Sequence, residues 1–289
     1  MGWMYHSSIL TYILGKLLKT EKIYWNIRHT KLVFLKSSIF TIIISKLLAI
    51  ISNFSKIYII YCSDESKKLH SKVGYNNKFA KIIFNGVDIY KYKFSNETKL
   101  KLKNKYQIEQ DTFVIGMIAN YRKQKNHTFL FKSLNIFKGK KINFMLVLAG
   151  RDISYDNKKL LKIINKNNIS ENVLLLNNVS NTSSLYSLFD IFVLTSNFGE
   201  SFSNVLIESM SSSVPCITSN VGASKFIVGD VGWTLNDFDQ NDFSNKLEQI
   251  YKLTKKNEYW NNLKNLNRQR INENFSLEKM INNYNSLWM

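Results

Sequence analysis

Residues 190–219, DIFVLTSNFGESFSNVLIESMSSSVPCITS, constrain the fold more than any other part of the chain. Residues 191–194 are a short apolar, β-prone run, followed by a loop that holds Gly199. Residues 205–210 have the pattern of an apolar helix, and residues 216–218, after Pro215, read as a second short strand. Strand, loop, helix and strand in that order make one unit of a parallel sheet, with the loop at the carboxyl end of the first strand. Either Ser203 or Ser201 can cap the helix, which then opens near Asn204 with free backbone N–H groups aimed into a cleft. Such a helix end draws anions, phosphate above all. Two carboxylates mark the unit, Glu200 in the loop and Glu208 on the helix. Glu208 lies four residues beyond Asn204, on the same face. An acid buried beside an anion site is costly, and accepting hydrogen bonds from sugar or ribose hydroxyls would offset that cost. The plainer alternative is two solvated glutamates flanking an ordinary amphipathic helix.

The rest of the chain repeats the alternation. Helices are predicted at residues 3–18, 37–53, 64–73 (stopped by Gly74) and 96–106. Strands are predicted at 23–27, 56–61, 81–84, 113–118, 144–149, 173–176, 191–194, 216–218 and 232–234. The pattern is that of an α/β protein with parallel sheets.

With its flanks, the segment from Glu200 to Glu208 (ESFSNVLIE) resembles the E-x7-E motif of retaining glycosyltransferases of family 4, which have the GT-B fold. Pro215, Cys216, Ile217 and Thr218, then Val221, Gly222 and Ala223, match that family's continuation. The resemblance implies two Rossmann-like domains facing each other across a cleft. Asn85, Gly86, Val87 and Asp88, followed by Phe94, look like the family's crossing between domains. This gives an acceptor-side domain over 1–93, a donor nucleotide-sugar domain over 94–275, and a final helix over 276–289 that packs back on the first domain. The family's first domain opens with a strand and a glycine-rich loop, whereas Met1 here leads directly into Gly2, Trp3, Met4, Tyr5 and His6. The N-terminal domain is therefore expected to be incomplete, which makes a truncated, non-catalytic nucleotide- or partner-binding module the alternative to an active enzyme.

The resemblance also assigns roles. The turn after the first donor-domain strand holds Asn120, Arg122 and Lys125; the family places an Arg and a Lys there to grip the donor diphosphate. Lys125 matches the lysine, Asn120 stands at the usual arginine position, and Arg122 fits a closer variant. A guanidinium holds phosphate bidentately and an ammonium acts as a point charge, so the pair suits a pyrophosphate. Glu200 is expected to orient the transferred sugar and Glu208 to hold the ribose, with Ser201, Phe202, Ser203, Asn204 and Arg151 contributing substrate contacts. On the acceptor side His29 is the candidate for proton handling or sugar positioning, with His6 as second choice. No Asp-x-Asp cluster stands in a suitable loop, so no metal or other cofactor is expected.

A formal net charge of +19 over 289 residues points to acidic partners, although lysine enrichment spread along the whole chain also fits compositional drift. The expected partners are a nucleotide sugar, a lipid-linked oligosaccharide acceptor and the anionic inner face of the cytoplasmic membrane. Nucleic acid ranks low, because aromatic and basic residues do not interleave in an RNA-binding motif. Cys62 and Cys216 show neither a disulfide framework nor a metal spacing, which fits a reducing cytosol. Residues 1–8 lack a signal-peptide pattern, and His6 rules out a myristoylation start. Residues 32–51 are interrupted by Lys36 and Lys46, too short a run to span a bilayer. They predict a helix that is buried, or one that lies on the membrane surface.

Overall fold

A computed structural model describes residues 1–29 and 39–287. The first part builds β1 (Gly2–Trp3), α1 (Met4–Leu17), β2 (Ile23–Ile27), α2 (Ile39–Phe54), β3 (Ile57–Tyr61), α3 (Asp64–Val73) and β4 (Ala80–Ile82). Its strands are all parallel and lie in sequence order, β1-β2-β3-β4. Trp3, expected in a helix, pairs instead with Asn26, because a two-residue strand shows no alternation to read. The N-cap of α3, Ser63, accepts from the Ser66 amide, and Gly74 ends the helix in the left-handed conformation, as expected. Part of the segment 32–51 falls outside the described residues. The remainder enters α2, which buries one face and exposes the other.

The second part contains α4 (Asn96–Lys105), β5 (Phe113–Ile118), α5 (His127–Lys138), β6 (Phe144–Ala149), α6 (Lys158–Lys166), β7 (Val173–Leu175) and α7 (Thr182–Tyr186). Next come β8 (Ile191–Leu194), α8 (Asn204–Ser211), β9 (Cys216–Ser219), α9 (Ser224–Val228), β10 (Trp233–Leu235), α10 (Gln240–Thr254), α11 (Asn257–Phe275) and α12 (Leu277–Asn285). The six strands form a parallel sheet with order β10-β9-β8-β5-β6-β7. Two-residue periodicity sends Phe113, Ile115 and Met117 of β5 to one face, with Phe131 and Leu146. Val114 goes to the other, with Phe192 and Leu206. Both faces are covered by helices, which is why these strands read as continuous apolar runs.

The crossing between the two parts is tied down at its centre. The Val87 amide donates to the Phe275 carbonyl at 2.9 Å, and the Leu277 amide donates to the Val87 carbonyl at 2.8 Å. A Cβ on Gly86 would lie 2.7 Å from backbone atoms of Ser276 and Leu277, so glycine is needed where the chains meet. From there α12 lies back on the first sheet. The Arg28 guanidinium donates to the Tyr284 hydroxyl at 2.8 Å, the Tyr24 hydroxyl donates to the Leu287 carbonyl at 2.7 Å, and the Tyr284 ring stacks on Trp3. Among the described residues no helix is long and apolar enough to cross a membrane.

Candidate functional site

The strand order of the larger sheet reverses beside β5. From β5 the chain moves outward through β6 and β7, then returns to β8 on the other side and moves outward through β9 and β10. At such a switch point adjacent loops leave the sheet in opposite directions and open a crevice beyond the strands' carboxyl ends. The loop after β5 delivers Lys125 and the loop after β8 delivers Glu200, with Nζ and Oε1 2.6 Å apart.

Glu200 is 8% exposed and held from several sides. The Ser196 hydroxyl donates to Oε1 at 2.6 Å and the Ser203 hydroxyl to Oε2 at 2.9 Å. Burial alone would push its carboxyl up, but the Lys125 ammonium and the hydrogen bonds outweigh burial and hold it below the ordinary carboxylate value. The two loops are also laced together. The Asn197 amide donates to the Gln124 carbonyl at 2.9 Å, and the Thr195 hydroxyl to the Lys125 carbonyl at 3.0 Å. Behind Glu200, Gly222 has φ +60°, and a Cβ there would fall 1.9 Å from the Glu200 carbonyl oxygen. An ammonium has three donors and the pair with Glu200 uses one of them, which leaves capacity for phosphate oxygens.

Helix α8 opens beside this pair. Ser203 occupies the N-cap position, but its hydroxyl turns to Glu200 and makes no cap hydrogen bond to the first turn. The helix end, with its backbone N–H groups and the Lys125 ammonium beside it, offers donors suited to an anion. Asn204 at the tip is exposed, and its Oδ1 accepts from the Asn85 amide group at 2.6 Å. Asn85 in turn accepts from the Arg28 guanidinium. A polar chain thus runs from the end of β2, through the crossing, to the tip of α8.

The other expected site residues are distributed as follows. Glu208 accepts from the buried Tyr186 hydroxyl at 2.8 Å, and burial raises its carboxyl. Phe202, expected to contact substrate, is 7% exposed; its ring packs between Phe84 and Phe275, so it braces the loop instead. Ser201 is half-buried, and its carbonyl accepts from the Ala223 amide at 3.2 Å. Arg122 is exposed and lines a hollow with Tyr121, Lys123, Asn126, His127, Thr128 and Asn197, beside the Lys125–Glu200 pair rather than within it. Asn120 accepts from the Arg151 backbone amide at 3.0 Å, which joins the loops after β5 and β6, and the Arg151 side chain is exposed. His29 follows β2, half-buried, and meets the Tyr5 ring edge-on at 6.3 Å, whereas His6 is exposed on α1. Sequence reasoning did not single out Ser196, Tyr186 or Arg28, and read Asn85 as part of the crossing between domains rather than of the site. Among the described residues no three His, Cys, Asp or Glu side chains gather as they would around a metal ion.

Two Rossmann-like parts, each with a parallel sheet, and a crevice at the switch point of the larger one define a GT-B glycosyltransferase fold. Residues 98–265, more than half of the chain, match the family described as glycosyl transferases group 1, and the chain belongs to it. It is similar to the N-acetyl-alpha-D-glucosaminyl L-malate synthase of Bacillus anthracis, with 26% identity over 73% of this chain and 54% of that protein. It is also similar to the N-acetylgalactosamine-N,N'-diacetylbacillosaminyl-diphospho-undecaprenol 4-alpha-N-acetylgalactosaminyltransferase of Campylobacter jejuni, with 29% identity over 53% of this chain and 38% of that protein. The chain thus spans about half or less of these curated relatives. Among solved structures, Anabaena Alr3699/HepE in complex with UDP superposes with a TM-score of 0.84 at 17% identity, covering 99% of this chain and 77% of that one.

Proposed function

We propose that this protein transfers a sugar, with retention of configuration, from a nucleoside diphosphate sugar to a lipid-linked glycan acceptor, working from the cytoplasmic face of the membrane in surface-polysaccharide synthesis. The observation that carries the proposal is the Lys125–Glu200 pair at the switch point, beside the N-terminal end of α8, which the Ser203 side chain does not cap. In this reading Lys125 and the first-turn amides of α8 take the departing diphosphate, where charge builds up as the anomeric C–O bond breaks. Glu200, fixed in its ionised form, accepts from hydroxyls of the transferred sugar and orients it. Glu208 accepts from the ribose, and His29 faces the acceptor from the smaller sheet. Arg122 is positioned to meet outlying phosphate oxygens by moving its exposed side chain. A nucleotide-sugar donor is supported by the UDP found in Alr3699/HepE, and a diphospholipid acceptor by the name of the Campylobacter relative.

The test is release of nucleoside diphosphate from a panel of nucleotide sugars, with and without a membrane extract supplying acceptor. Turnover should fall at least about 10²-fold in Glu200→Gln and in Lys125→Met, as expected for loss of a preorganised charge, and a chelator should leave it unchanged. Nucleotide binding without turnover, indifferent to both substitutions, would instead identify a binding module.

A further inference from the structure

Helices α1 and α2 lie side by side on the smaller sheet, joined where the Tyr12 hydroxyl meets the Ser55 hydroxyl at 3.1 Å. Each buries one face: Tyr5, Ser8 and Gly15 on α1, and Ile42, Ser45, Leu48 and Ala49 on α2. The opposite faces are apolar as well. On α1 and just past its end, Leu10, Leu14, Leu17 and Leu18 stand out, the last two 73% exposed. On α2, Phe40, Ile43, Leu47, Ile50 and Phe54 repeat at alternating steps of three and four residues, with Phe40 75% and Phe54 86% exposed. Spacing of that kind makes a continuous stripe on a helix, and two adjacent stripes make a patch larger than soluble surfaces normally leave open.

The charges around the patch are basic, with the exception of Glu21. Lys46 lies within the α2 stripe and Lys16 beside the α1 stripe, and Lys19, Lys22 and Lys56 follow the two helices. From Met1 to Ser63 the sequence has a lone acidic residue, Glu21. We infer that this two-helix face docks on the surface of a bilayer rich in anionic phospholipid, its apolar stripes among the acyl chains and its lysines at the phosphates. A second copy of the chain is the poorer occupant, because a two-fold interface would bring the same lysines against each other. The orientation fits the proposed reaction, on which this part of the inference rests. Helix α2 delivers the chain to the start of β3, so its Phe40 end lies on the side of the sheet where Arg28 and His29 leave β2. An acceptor held in the same bilayer would present its headgroup at that rim.

The test uses the full chain, without donor, sedimented with vesicles of phosphatidylcholine alone or mixed with phosphatidylglycerol. Partition should rise at least about tenfold with the anionic lipid. It should fall to the neutral-vesicle level in Phe40→Glu/Leu17→Glu and in Lys16→Glu/Lys46→Glu. Phe54→Ser, at the most exposed position, weakens binding without a risk to folding and serves as the second reading if the charged variants do not fold. Equal partition to both vesicles, binding untouched by these substitutions, or a dimer in solution that Phe54→Ser dissolves would overturn the inference. Nucleoside diphosphate release onto a soluble acceptor, run in parallel, reports on the proposed chemistry separately: intact release with no vesicle binding removes the docking surface alone.

Discussion

Glu200 and Lys125 depend on each other. A carboxylate this buried is tolerable because it is paired and hydrogen-bonded. Removing only the cation leaves the charge stranded, which costs about 3–5 kcal/mol for a well-buried pair. Lys125→Met should therefore lower stability toward urea by an amount in that range and move the Glu200 carboxyl upward. Lys125→Met/Glu200→Gln should recover most of the stability and none of the turnover. Equal stability of Lys125→Met and the parent would show that the pair is solvent-screened. Glu208 presents the reverse case. Its carboxyl is raised by burial, so its ionisation costs the folded state stability as pH climbs through the carboxylate range. Glu208→Gln keeps an acceptor for the Tyr186 hydroxyl and is expected to be as stable as the parent or more so at neutral pH. If Glu208 holds the ribose, nucleotide affinity falls in the same variant, by about tenfold for one charge-assisted hydrogen bond. Urea titration and nucleotide binding, measured on one preparation, separate the two effects.

At the scale of the elements, much of what positions the site was legible in the sequence. The runs at 113–118, 144–149 and 191–194 became β5, β6 and β8 with the expected bounds. Helix α8 opens at Asn204 because serine and glycine crowd the loop before it. What the sequence did not reveal are contacts between segments with no shared pattern. Ser196 and Tyr186 look like ordinary polar and aromatic residues until the fold places them against the two glutamates. Phe202 in a polar loop reads as cleft-facing, yet Phe84 from the crossing and Phe275 from α11 close around it. The strand-order reversal beside β5 is likewise a property of pairing rather than of any single stretch. Gly222 links the two levels. Any side chain there must displace the Glu200 backbone, and φ +60° adds strain of its own. Gly222→Ala should therefore shift Glu200 and cost about 10²-fold in kcat/KM, the scale of an ångström-sized misplacement. Substrate binding should suffer less, and a variant with parental kcat/KM would remove Gly222 from the positioning of Glu200.

Across the whole molecule, acid sensitivity should arise from two histidines that the proposed chemistry does not use. His70, in the smaller part, is fully buried; its Nδ1–H donates to the Ser66 carbonyl, its Nε2 accepts from the Tyr5 hydroxyl, and burial lowers it to about 4. His127, at the start of α5, is 2% exposed, and neither ring nitrogen has a hydrogen-bond partner among the described residues. Burial, with the Lys125 ammonium adding to it, lowers His127 to about 4 as well. In the unfolded chain both titrate near the ordinary value of 6.5. Between that value and about 4 the unfolded state binds protons that the folded state refuses, so stability is full above 6.5 and falls as pH drops toward 4. A depression of this size corresponds to about 3 kcal/mol for each histidine. Depressed carboxylates such as Glu200 add their own loss only further into acid, as pH falls through the lowered carboxyl value. The two contributions can be separated because His127 has no hydrogen-bond partner to lose among the described residues and sits against the rings of Tyr121 and Phe131. His127→Phe should keep the neutral-pH stability and remove about half of the decline measured by urea titration between neutral pH and about pH 4. A decline as steep as the parent's would mean that His127 protonates in the folded state, through a local opening of the start of α5 beside Lys125. That opening would also loosen the pair with Glu200, and turnover would then fall with pH in step with stability rather than after it.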